Sequence, residues 1–145
     1  MSAQILSLFQ KERVRAAFGQ AWQDSEPAEF GGHEEGGFVL RDADGNLSVS
    51  RWQAGEQAAI RLPPHRECRI GELDIVVSFH THPNTGSDYL QEPSETDRRA
   101  VRDDPDLKGK FYQGELVIAH EYIYHIEPNG LVSEIGETRE LLGNA

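Results

Sequence analysis

The order of apolar and polar positions divides the chain into a helical opening and a series of short strands. Apolar side chains at Ile5, Leu8, Phe9, Val14, Ala17, Phe18 and Trp22 recur at roughly helical spacing. They predict an amphipathic N-terminal helix over residues 3–22, broken before Pro27. Such a stripe packs on a core or takes a partner. Residues 23–33 are polar and glycine-bearing, and predict a loop. Phe38-Val39-Leu40 begins a strand, Asp42-Ala43-Asp44-Gly45-Asn46 has hairpin-turn composition, and Leu47, Val49 and Arg51-Trp52 return as the paired strand with period two. Residues 58–62 predict another short strand, stopped by Pro63-Pro64. The β-branched run Ile75-Val76-Val77 marks residues 73–82 as a buried central strand. Ser94 opens a helix to about Arg102, ahead of Asp103-Asp104-Pro105. Residues 115–119 and 122–126 predict a further hairpin, and Pro128-Asn129-Gly130 a turn into Leu131-Val132-Ser133. Nothing repeats, and no linker intervenes. The pattern predicts one mixed α/β domain over residues 1–145, with its helix within 1–25 and its core within 34–135.

Composition narrows the class. At 145 residues the chain is long enough for one sizeable core and too short for two. Its 27% charged and 37% hydrophobic residues fit a folded, soluble domain rather than a disordered one. No apolar run approaches the ~20 residues of a membrane span, and residues 1–11 lack the basic start and apolar stretch of a secretory signal. Cys68 is the one cysteine, which excludes an internal disulfide and a cysteine zinc cluster; a small apolar filler is its expected role. A reducing, cytoplasmic setting follows as the expectation. A formal charge of −11 argues against nucleic acid, whose phosphates need a basic surface. The charge serves solubility, or draws a basic protein partner.

The densest chemistry lies at the end of the central strand. His80-Thr81-His82-Pro83 closes it, and Pro93-Ser94-Glu95-Thr96-Asp97 follows. Side chains at i and i+2 on a strand share a face, about 6–7 Å apart at the backbone. His80 and His82 can therefore converge on one Zn²⁺ at roughly 2.0–2.1 Å, with Asp97 as a third ligand. Three protein ligands leave a fourth position open, the catalytic rather than the structural arrangement. Ser94-x-x-Asp97 also has the form of a helix capping box, and the two roles are compatible. His33, His65, His120 and His125 read as ordinary residues.

H-x-H-P followed by P-S-x-x-D resembles the signature of the JAMM metallopeptidases, also called MPN-type or bacterial JAB-type proteins. The resemblance spans about residues 30–130, with its specific residues within 34–97. It implies an MPN-type fold: a curved, mainly antiparallel sheet flanked by helices. It also implies one Zn²⁺ per chain, held by His80, His82 and Asp97. The family places a glutamate upstream, and His33-Glu34-Glu35-Gly36-Gly37 supplies the candidates. The E-x-x-G pattern aligns Glu34 with Gly37, and Glu35 lies one step away. By resemblance Glu34 holds the attacking water as general base and Ser94 donates to the oxyanion. Eleven residues, Pro83 to Pro93, separate His82 from Ser94, more than is usual in the family. Residues 84–89 therefore read as an inserted, exposed loop bordering the cleft and bearing on substrate preference.

The activity implied is hydrolysis of a peptide or isopeptide bond, after the C-terminal tail of a ubiquitin-like protein bound by strand addition. A metal-free MPN-type scaffolding module and a toxin-associated JAB domain are the alternatives. A metal-dependent phosphoesterase on a β/α barrel needs ~250 residues and further downstream histidines. A cupin needs a glutamate soon after its H-x-H. Neither pattern is present.

Overall fold

The computed structural model describes residues 2–143; Met1, Asn144 and Ala145 of the predicted domain lie outside them. Two hydrophobic stripes open the chain rather than one. Helix α1 (Ser2–Leu6) passes through a 3₁₀ turn at Ser7–Gln10 and breaks at Lys11, whose ψ is 110°, before α2 (Glu12–Asp24) begins. The apolar spacing explains the break. Phe9 to Val14 is a step of five, out of phase with a helical stripe, so two short segments bury Ile5, Leu8 and Phe9, then Val14, Phe18 and Ala21.

The strands are β1 (Gly36–Arg41), β2 (Leu47–Arg51), β3 (Arg69–Ile70), β4 (Leu73–Thr81), β5 (Glu115–Ile118), β6 (Tyr122–Ile126) and β7 (Val132–Glu137). They form one open sheet in the order β2-β1-β4-β5-β6-β7, with β3 paired to β4. Every pairing is antiparallel except β4 with β5. A parallel pair needs a crossover connection, and this one carries α3 (Glu95–Asp103). A short helix, α4 (Thr138–Leu141), follows β7. The predicted mixed α/β class, with a mainly antiparallel sheet flanked by helices, is the observed one.

Both faces of the sheet are covered. Val39, Val77, Phe79, Leu116, Ile118 and Ile123 pack beneath the N-terminal helices. Phe38, Leu40, Ile75, Val117 and Ile126 meet Val101, Leu107, Tyr112 and Cys68 on the crossover side. Period two therefore sends His80, Ser78 and Glu115 to the crossover face. Cys68 is 3% exposed, and burial pushes its thiol pKa up, as a filler requires.

The predicted strand over 58–62 does not form. Glu56 N bonds Ala59 O in a tight turn, and Ile60 and Leu62 rest against the core without a strand partner. Among the described residues no helix is long and apolar enough to cross a membrane.

Candidate metal centre

Strand β4 delivers His80 and His82 at the carboxyl end of the sheet's parallel pair, the rim where open α/β sheets present their sites. Asp97 arrives from the first turn of α3. The capping box predicted from sequence is present: Asp97 N donates to Ser94 Oγ (3.0 Å), and Ser94 N donates to Asp97 Oδ2 (2.9 Å). The cap fixes the carboxylate against the imidazoles. His80 Nε2 lies 3.2 Å from His82 Nε2 and 3.5 Å from Asp97 Oδ1, and His82 Nε2 lies 3.2 Å from Asp97 Oδ2. His80 and His82 are buried and Asp97 is half-buried. This group can hold a metal ion.

The remote nitrogens of both rings decide which atoms face the centre. His82 Nδ1 lies 3.1 Å from the carbonyl oxygen of Gln91, which can only accept, so Nδ1 carries the hydrogen and Nε2 keeps a lone pair. His80 Nδ1 pairs with the Glu115 carboxylate, with the same result. With both rings neutral, two lone pairs and a carboxylate converge, the donor set a cation would take in place of the His80 proton.

Glu115 was not anticipated. It is 5% exposed and takes its second hydrogen bond from Ser78 Oγ (2.7 Å), which in turn accepts from Tyr112 Oη (2.7 Å). Burial, then the Glu115 charge, push the Tyr112 pKa well above 10, keeping it a donor. The available signal was a charged residue opening an otherwise apolar strand. Gly114 sets it in place: its φ of +108° disfavours any side chain, and a Cβ there would lie 2.1 Å from Ile126 O.

Register separates the two glutamates. Gly36 pairs with His80, and the ladder continues as Thr81 N donates to Glu35 O (2.9 Å) and Glu35 N donates to Thr81 Oγ1 (3.0 Å). One further step sets Glu34 opposite His82, and opposite residues share a face. Glu34 lines a cavity of about 170 Å³ together with His82, Ser94 and Asp97. The Glu35 carboxylate is engaged elsewhere, by Arg51 (2.5 Å) and His33 (2.6 Å). Gly36 permits this closeness, since a Cβ there would lie 2.6 Å from Phe79 O and 2.5 Å from the Trp52 ring.

Electrostatics follow the packing. Burial pushes the Glu34 pKa up, against the opposing pull of His80 and His82. Burial would also raise Asp97, but its bonds to His80 and His82 outweigh that and hold it well below the usual carboxylate range. Burial opposes a charge on His80, yet Glu115 and Asp97 outweigh it and push its pKa well above 6.5.

The 84–89 loop borders the cavity as predicted, but it is not wholly exposed. Asn84 is 1% exposed: its Oδ1 accepts from Gly32 N (2.7 Å), and its Nδ2 donates to Gly32 O (2.9 Å) and Gln57 O (3.2 Å). The other four histidines stay outside the centre. His120 and His125 each bond a backbone carbonyl through Nε2, His33 pairs with Glu35 and His65 with Asp104. Comparisons with protein-family models, curated proteins and solved structures found no match.

Proposed function

We propose that this chain is a zinc-dependent metallopeptidase or isopeptidase of the JAMM type. One observation carries the reading: the separations of 3.2, 3.2 and 3.5 Å among His80 Nε2, His82 Nε2 and the Asp97 oxygens. Zinc bonds of ~2.0–2.1 Å in tetrahedral geometry give ligand–ligand edges of about 3.3–3.4 Å. The two imidazole nitrogens stand about one such edge apart, each has an oxygen of the Asp97 carboxylate at a similar distance, and the donor set of two imidazoles and a carboxylate suits that ion.

When bound, zinc supplies Lewis acidity, which acidifies water towards a pKa of ~7 and polarises a scissile carbonyl. The side chains supply the rest. Glu34, its pKa raised by burial, takes the proton of the attacking water and delivers it to the leaving amine. Ser94 Oγ already accepts from Asp97 N, so its own hydrogen is free to donate to the carbonyl oxygen as charge develops. Glu115 orients His80. The substrate class this reading implies is a protein tail, that of a ubiquitin-like protein, ending at a peptide or isopeptide bond.

The test exchanges the two glutamates separately. Glu34→Gln is expected to abolish cleavage of a ubiquitin-like fusion while zinc stays bound, and Glu35→Gln to retain cleavage. Full activity in Glu34→Gln refutes the assignment of the base.

A further inference from the structure

The cavity that Glu34, His82, Ser94 and Asp97 share is walled on another side by Gln57, Asp88, Tyr89 and Leu90. Its lining holds three carboxylates, Glu34, Asp88 and Asp97, and no lysine or arginine. Asp97 is engaged with the imidazoles. Asp88 is exposed and enters no ion pair among the described residues. We infer that this part of the cavity is a subsite for a lysine or arginine side chain of the substrate, with Asp88 as the specificity-determining carboxylate. The inference rests on the hydrolase reading above and names the chemistry of what that site accepts.

Three features make the wall a recognition surface. First, its shape is set in advance. Asn84 ties the loop to Gly32 and Gln57, Tyr89 Oη donates to Gln57 Oε1 (3.0 Å), and Gln91 Nε2 donates to Asn84 O (2.6 Å). The backbone joins too, with Thr85 N on Ala28 O and Gly86 N on Glu29 O. A wall built before binding has little ordering cost to meet on association. Second, the carboxylate stands beside apolar surface. Tyr89 and Leu90 follow Asp88 along the same lining, and Leu90 is 53% exposed. An aliphatic stem carrying a cation at its tip matches that pairing, since long basic side chains bury the stem and keep the charge at an anionic partner. Third, the lining offers an acidic substrate side chain no cationic partner, and the chain's formal charge of −11 favours approach of cationic segments.

The test uses the whole chain loaded with Zn²⁺ and a mixed-sequence peptide library, with cut positions read by mass spectrometry. The expected result is lysine or arginine enriched at one fixed distance from the cut. That preference is lost in Asp88→Asn and turns towards Glu or Asp in Asp88→Lys. For a matched pair of peptides differing only by Lys or Glu there, the kcat/KM ratio should change about three- to tenfold with each variant. Cleavage without a basic preference, or a preference that Asp88→Lys does not move, overturns the subsite and leaves the hydrolase reading standing. Fluorescence anisotropy of the same two peptides on Zn²⁺-loaded Glu34→Gln gives a readout that needs no turnover. An Asp88-dependent preference for the Lys peptide there, with no cleavage by the native chain, keeps the subsite and overturns the hydrolase. Equal binding of both peptides overturns the subsite.

Discussion

The Glu115 carboxylate accepts a hydrogen bond from Nδ1 of His80 and so turns Nε2 of that ring towards His82 and Asp97. A residue on β5 thereby sets the tautomer of a candidate ligand on β4, across the sheet's one parallel pairing. Glu115→Gln keeps the volume and removes the charge that raises the basicity of the ring. It is expected to weaken zinc binding about 10–100-fold, read by competition with a chromogenic chelator. Unchanged affinity would remove Glu115 from the centre.

Ser94 serves two purposes, and a pair of variants separates them. Ser94→Ala loses the N-cap, at a cost of about 1 kcal/mol of stability, and loses the hydroxyl donor, which should lower kcat about 10²–10³-fold. Ser94→Asp caps as an acceptor but donates nothing. Stability is expected to return in Ser94→Asp while the rate stays low. A rate that recovers together with stability would assign Ser94 to the cap alone.

His65 gives a pH dependence away from the centre. Its Nδ1 meets the carbonyl of Pro63 (2.7 Å) and its Nε2 the carboxylate of Asp104 (2.7 Å), so both nitrogens face acceptors. Burial opposes the charge, but these two partners outweigh it and raise the pKa above 6.5. A pKa raised on folding stabilises fully below the unfolded value and is lost as pH rises through the folded one. The stability difference between the native chain and His65→Gln should therefore be greatest near about pH 6 and shrink towards about pH 9. Urea titrations across that range measure it, and a constant difference would contradict the protonated bridge.

The legible parts were those governed by local rules. The β-branched apolar run Ile75-Val76-Val77 gave β4, the offset of two placed His80 and His82 on one face, and Ser94 with Asp97 announced a helix start that forms as a capping box. What stayed hidden depends on contacts between distant segments. Choosing Glu34 over Glu35 needs the β1–β4 register, because adjacent residues on a strand face opposite ways. Glu115 reads in sequence as an ordinary strand start, and only pairing with β4 brings it to His80. Asn84 has the composition of an exposed turn, yet its amide replaces a missing backbone partner for Gly32. The 58–62 segment has strand-like apolar residues but finds no strand beside it.

Zinc occupancy tests the central claim most directly. Native protein purified without added metal, then analysed by elemental mass spectrometry, should carry about one zinc per chain, as three protein ligands and one open position require. Asp97→Ala, still folded by circular dichroism, should lose most of it. Folded native protein that carries no zinc and takes none up from micromolar solution would contradict the account.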